Sequence, residues 1–293
     1  MNEKNLKYLK DNLKYMGFGE KLNVDLENQL KEGKPEFQLK LNEKMYQGNM
    51  ETNLHFKQSP SSDMYFFNSY EARLTKDNGH DLSQSFYLNN GKGVTYKEAY
   101  NLLDGRSVLK DMTNKEGEKY SAWIKLDFSK KATNNHFETR QFHAEKYGFN
   151  LSAELSKLDV ASMPEEKEKQ VMQSLQKGNR QAVNFMKDGK ETPMFIEANP
   201  QFKAINVYDT GGRQLSRFEK EQYLKVKPGN EVGQNGAVVK EPVVLLDQKQ
   251  KKSVSLEKKS DARTARPSLA KVKNIKALLP QKERASKKGL KIR

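Results

Sequence analysis

Apolar residues recur along this chain in two alternating rhythms. Leu6, Leu9, Leu13 and Met16 are three or four apart, which predicts a helix over residues 2–15 that Gly17 and Gly19 terminate. A longer pattern then recurs three times: a helical stretch, a glycine, and two strand-like stretches around a turn. In the first copy Asn23 is the expected N-cap and Leu26 and Leu30 mark the buried helix face. Gly33 ends that helix, and strands at 36–41 and 50–56 flank a turn near 42–44. In the second, Thr95-Tyr96-Lys97-Glu98 has the spelling of a capping box and the helix carries Leu102 and Leu103 to Gly105. Strands at 107–112 and 120–128 then flank a turn at 114–117. In the third, Ser162-Met163-Pro164-Glu165 opens a helix through Val171 and Leu175 to Gly178. Strands at 181–185 and 193–198 follow, around Lys187-Asp188-Gly189-Lys190.

The three glycines are 72 and 73 residues apart, and each has a leucine three positions earlier. The spelling has a physical reason. A helix that must stop and feed a strand needs a left-handed residue at its end, which glycine adopts at little cost. The leucine three back lies on the core face of the last turn. The near-equal intervals predict divergent copies of one unit, although the intervening residues differ too much for a solenoid to be inferred. Aromatic strands at 63–74 and 82–88 surround the turn Lys76-Asp77-Asn78-Gly79, and a strand at 203–208 precedes a turn at 209–212. Residues 137–149 read as a short helix or an irregular link, 151–158 as a short helix, 218–224 as a final helical turn and 238–246 as one further strand.

The expected fold class is α+β: repeated helix–Gly–β-hairpin units with antiparallel sheets, followed by a disordered basic tail. Residues 1–146 hold two units, 147–226 the third, 227–248 a linker rich in Gly, Pro and Asn, and 249–293 the tail.

Charge sharpens that division. Residues 249–293 contain 16 Lys or Arg against 3 Asp or Glu, so they carry +13 of the formal +15 and leave only +2 for the first 248 residues. With no aromatic residue and many lysines, the tail is expected to be disordered when alone. The chain has no cysteine, which removes disulfides, thiolate metal sites and cysteine nucleophiles. Residues 1–17 lack an apolar run of signal-peptide length and no stretch is long enough to span a bilayer, so a cytoplasmic location is expected.

Four stretches carry a resemblance: NLKYLKDNLKYMGFGE, DMYFFNSYEARL, AYNLLDGRSVLKDMTNKEGEKYSAWIKLDF and MFIEANPQFKAINVYD. Over residues 1–210 the chain resembles a family of unknown function found in Bacteroidetes, whose members occur with conjugative transposons and plasmids. The helix–Leu-x-x-Gly–hairpin unit also looks like short modules appended to type IA topoisomerases of such elements. The resemblance implies a setting of mobile DNA and an accessory role, and it supplies no catalytic residues.

Candidate chemistry is sparse. His55, His80, His136 and His143 are scattered without metal-ligand spacing, no nucleophile motif is present, and no cofactor or metal is expected. Asn90-Gly91-Lys92-Gly93 precedes a capped helix, where backbone amides and Lys92 would suit an anion, but a plain strand-to-helix turn is the preferred reading. Tyr65, Phe66, Phe67, Tyr70, Phe86 and Tyr87 offer either stacking faces for single strands or core packing. Adjacent Phe66 and Phe67 must point to opposite faces, so core packing is preferred, and Trp123 is assigned to the core too.

The tail is the main functional candidate. Lys249, Lys251, Lys252, Lys258, Lys259, Arg263, Arg266, Lys271, Lys273, Lys276, Lys282, Arg284, Lys287, Lys288, Lys291 and Arg293 form a polycation that would hold phosphate backbones without reading bases. The competing reading is a solvating appendage that binds nothing specific. Within it Leu269, Val272, Ile275 and Leu279 form an apolar stripe suited to a partner surface or, less well, an anionic membrane. The function expected is therefore a non-enzymatic binding protein of mobile elements, with nucleic acid as tail partner and an unidentified protein partner. The alternatives are an adaptor with no nucleic-acid role and an enzyme with an unrecognised site.

Overall fold

The computed structural model describes residues 2–89, 93–131 and 136–225. Asn2 opens the first helix, α1 (Glu3–Tyr15), by accepting the Asn5 amide on its side chain. Leu9 and Leu13 are fully buried on its inner face, as their spacing predicts. Gly17, at φ +87, closes it. Two backbone bonds, from Gly17 to Lys14 and from Phe18 to Leu13, complete a Schellman end.

The first unit follows: α2 (Asn23–Glu32), β1 (Glu36–Met45), β2 (Gly48–Gln58), β3 (Tyr65–Lys76) and β4 (Asp81–Tyr87), the strands forming one antiparallel meander in sequence order. Asn23 is the first helical residue rather than the cap, which falls on Leu22 and makes no side-chain bond. The first hairpin turn lies at Tyr46-Gln47 rather than 42–44. The alternation of β1 runs on through Lys44, paired with Asn49, and Met45, paired with Gly48. Asn5 pins α1 to the sheet: its side-chain amide donates to the Tyr65 carbonyl at 2.9 Å and accepts the Tyr65 N–H at 2.8 Å.

A bulge then decides which aromatics of β3 face inward. Phe56 pairs with Phe67 but the preceding His55 pairs with Ser69, so Asn68 is an extra residue. The skipped position moves the inward set from Tyr65 and Phe67 to Tyr70, Ala72 and Leu74, and all five are buried. Phe37, Phe56 and Phe67 stack in sequence at 4.8 and 4.9 Å between centroids.

The second unit is α3 (Tyr96–Leu103), β5 (Val108–Thr113), β6 (Lys119–Lys131) and β7 (Phe137–His143). The capping box at Thr95 forms as spelled, with the Thr95 N–H on Glu98 Oε2 at 2.8 Å. Residues 137–149 are not a helix or an irregular link, because 137–143 add a third strand beside β6. The third unit is α4 (Leu151–Ser156), α5 (Glu165–Gln176), β8 (Gln181–Lys187), β9 (Lys190–Asn199), a short 3-10 turn (Pro200–Phe202), β10 (Ala204–Tyr208) and α6 (Arg217–Glu221). Ser162 does not cap α5: the N-cap is Pro164, which makes no side-chain bond, and three glutamates in the first turn complement the helix dipole instead. The turn Asp188-Gly189 has φ +52 and +72, the geometry of a tight two-residue hairpin.

Each unit thus contains a helix that ends in a left-handed glycine and feeds an antiparallel meander, and the α+β reading holds. Gly33, Gly105 and Gly178 sit at φ +68, +87 and +76, and Leu30, Leu102 and Leu175 are all buried. The helices link the units. α3 packs on β3 and β4 of the first sheet as well as on β5 and β6 of its own, and α5 packs on β5 as well as on β8 and β9. The middle sheet is consequently buried on both faces. Val108, Ile124 and Leu126 join one core, while Trp123 and Phe142 join the other. No helix among the described residues is long and apolar enough to cross a membrane.

A second register shift, between Asp127 and Lys131 on β6, is locked by one carboxylate. Asp127 accepts the Ser129 N–H and hydroxyl at 3.1 and 2.6 Å and the Arg140 guanidinium at 2.7 Å. The Ser129 bonds and Arg140 hold its pKa down to about 2. A depressed carboxylate stabilises the fold above its unfolded value and loses that contribution as pH falls through the folded one. The Asp127 contribution is therefore expected to be complete above pH 4 and gone near pH 2. Carbon-detected NMR titration of the Asp127 carboxyl checks this, and a midpoint near the ordinary aspartate value would refute the assignment.

Candidate functional site

The ends of α3 and α5 meet, and the side chains of one cap the backbone of the other. Both ends are Schellman motifs: Gly105 and Arg106 donate to Leu102 and Asn101, and Gly178 and Asn179 donate to Leu175 and Ser174. Asn101, fully buried, donates from its side chain to the Lys177 carbonyl at 2.7 Å and to Asn179 Oδ1 at 2.9 Å. Arg106 donates to the Gly178 carbonyl at 3.2 Å. Polar residues thus replace the hydrophobic contact usual at such ends, and hydrogen bonds between helix termini add to the apolar packing of Trp123 and Phe142 in docking the third unit. Asn101→Ala would strand two part-buried acceptors, so a loss of about 1–3 kcal/mol is expected. Thermal or urea unfolding checks it, and a loss under about 0.5 kcal/mol, the range of ordinary surface substitutions, would mean the junction is held otherwise.

Beside this junction lies a charged cleft of two adjoining compartments, of about 350 and 580 Å³, which share Gln47, Asp104, Arg106 and Arg180 in their walls. The first unit contributes Tyr46 and Gln47 from the β1–β2 turn and Lys76 from the end of β3. The second contributes Lys97 and Tyr100 from α3, Asp104 and Arg106 from its end, and Lys125 from β6. The third contributes Arg180, Glu197 and Tyr208. Both carboxylates are already engaged. Asp104 binds Lys76 at 2.8 Å and Arg106 at 3.1 Å, and Glu197 binds Arg180 at 3.2 Å and the Tyr208 hydroxyl at 3.2 Å. The Arg180 guanidinium stacks over the Tyr208 ring at 3.7 Å.

The cations outnumber the carboxylates. Lys97 and Lys125 have no carboxylate within ion-pair distance among the described residues; Lys97 is exposed over the Tyr100 ring at 4.7 Å, and Lys125 is partly buried and donates to Gln201 Oε1 at 3.2 Å. Desolvation first, then the Arg106 charge, lowers the pKa of Lys97, and desolvation first, then Arg140, lowers that of Lys125. The Nε donors of Arg106 and Arg180 and the Oδ1 acceptors of Asn101 and Asn199 are buried with no hydrogen-bond partner. Four such atoms in and beside one cleft mark it as polar surface that the fold leaves incompletely paired.

None of the residues singled out as sites in the sequence belongs to this cleft. The 16 tail cations lie outside the described residues, as do Asn90, Gly91 and Lys92 of the anion candidate and the strand expected at 238–246. Of the six aromatics offered for stacking, Tyr65, Phe67, Tyr70 and Phe86 are core, while Phe66 and Tyr87 are exposed. Trp123 is buried as expected. His136 accepts the Ser85 N–H at 3.3 Å and His143 stacks on Tyr120. Among the described residues no three His, Asp or Glu gather as a metal site. One signal for the cleft was present in the repeats: Lys34, Arg106 and Arg180 stand within two residues of the three helix-ending glycines. Comparison with protein-family models, curated proteins and solved structures gives no match to this chain.

Proposed function

We propose that this is a binding protein, without catalysis of its own, that holds nucleic acid through residues 249–293 and meets a further macromolecule through its folded body. The observation that carries this reading is the separation of charge: +13 of the formal +15 lies in the last 45 residues, beside a body close to neutral. A polycation of that density gains affinity from release of phosphate counterions and reads no base sequence. The engagement of both cleft carboxylates by arginine or lysine supports a binding rather than an acid–base role. An accessory place in mobile-DNA biology is the setting that the family resemblance suggests. The test is DNA binding by the full chain and by a chain lacking 249–293, measured across a salt series. Loss of binding on deletion supports the reading; affinity that survives deletion overturns it in favour of an adaptor or of contacts made by the body.

A further inference from the structure

We propose that the cleft where the three units meet is a binding site for a phosphate monoester of nucleotide size, separate from the tail. Charge is the first argument. Lys76, Lys97, Arg106, Lys125 and Arg180 line it against Asp104 and Glu197, an excess of three positive charges. The first 248 residues together carry only +2, so the cleft concentrates what the rest of the body cancels.

The second argument is that this positive charge is held at a cost. Lys125 is partly buried with no carboxylate partner among the described residues, and taking a cation out of water without its counter-charge is unfavourable. Arg106 is only 8% exposed, yet its Nε has no hydrogen-bond partner. Arg180 makes a single carboxylate contact, through one terminal nitrogen, and its Nε is likewise unpaired. A fold assembled for stability alone would neutralise these groups or leave them in water. An entering dianion would offset the desolvation and use guanidinium edges that the protein does not.

Shape supplies the third argument. Two compartments of about 350 and 580 Å³ have the dimensions of a small-ligand site. An aromatic ring lies in the wall of each and is largely exposed: Tyr46, 80%, in the first and Phe202, 70%, in the second. Large exposed rings beside cations suit a planar base above a charged phosphate. The phosphate monoester has two natural sources, a free mononucleotide and the 5′ end of a nucleic-acid strand.

The experiment is calorimetric titration of the full chain with AMP, with adenosine, and with a short single-stranded oligonucleotide bearing either a 5′ phosphate or a 5′ hydroxyl. Wild type, Lys97→Gln, Lys125→Gln and a tail control, Lys287→Gln/Lys288→Gln, are compared. The expected result is saturable one-to-one binding of AMP, at least tenfold weaker in each cleft variant, unchanged in the tail control and absent with adenosine. Because both lysines lack carboxylate partners, the cleft variants should melt at or above the wild-type temperature. Loss of affinity without loss of stability is what a binding role requires and a structural one does not produce. Tighter binding of the 5′-phosphorylated strand than of the 5′-hydroxyl strand, with the difference lost in the cleft variants and kept in the tail control, supports the site and identifies its ligand as a strand end. The proposal is overturned if no phosphate ligand binds, if adenosine binds as well as AMP, or if the cleft variants bind like wild type. Because the tail control is separate, failure here leaves the tail's role standing, and failure of the deletion test leaves the cleft standing.

Discussion

Gly178→Ala is expected to destabilise the fold by about 2–5 kcal/mol, whereas Gly33→Ala should cost only about 1–2. The two glycines have the same place in their units and nearly the same backbone, φ +76 and +68. At either one, alanine meets the left-handed penalty of an L side chain. They differ in what surrounds them. A Cβ at Gly33 has no atom within 4 Å, while one at Gly178 would lie 2.7 Å from the Ser107 carbonyl oxygen, 3.0 Å from Val108 Cγ2 and 3.2 Å from Asn101 Cβ. The first of these is backbone at the start of the second hairpin, which cannot yield without moving β5. Gly105→Ala, whose Cβ would meet only Phe128 Cε2 at an ordinary 3.6 Å, should behave like the Gly33 variant. Denaturation midpoints of the three variants, measured in parallel, decide it. Equal losses at all three positions would show that the close docking of the third unit on the second is not as described.

The affinity of the full chain for duplex DNA is expected to fall about 10³–10⁵-fold between 50 and 200 mM salt if 6–10 of the 16 tail cations meet phosphates. Each neutralised phosphate contributes about −0.9 to the slope of log K against log salt. Removing 249–293 leaves residues with a net charge of only +2, and the slope should collapse toward zero. A chain in which the tail residues are shuffled should bind as wild type does, because composition rather than order supplies the attraction. Fluorescence anisotropy on a labelled duplex gives both slopes. A steep salt slope that persists after deletion would move the electrostatic contact to the body, and loss of binding on shuffling would mean that the order of residues, such as the stripe Leu269, Val272, Ile275 and Leu279, matters.

What could be read from residue order was what is settled within a few neighbours. Helical spacing of Leu26 and Leu30, the capping box at Thr95, the Asp188-Gly189 turn and the left-handed glycines at 33, 105 and 178 all express backbone preferences that act locally. The separation of charge between body and tail is likewise a property of order alone. Errors arose where the neighbourhood was silent. Strand β7, FETRQFH, buries only Phe137 and Phe142 and shows no alternation, so nothing in it announces a strand; pairing with β6 imposes one. The bulge at Asn68 that turns Tyr70, Ala72 and Leu74 inward depends on a register held by the partner strand.

The cleft was decided by tertiary structure altogether. Lys76, Lys97, Arg106, Lys125 and Arg180 come from three units and converge only because α3 and α5 each pack between consecutive sheets and dock end to end. Local propensity determines which residues begin and end an element, since that free energy is spent among near neighbours. Which charges share a cavity depends on how the finished elements stack, and that is set by buried contacts such as Asn101 on Lys177 and Asn179, between residues more than seventy positions apart.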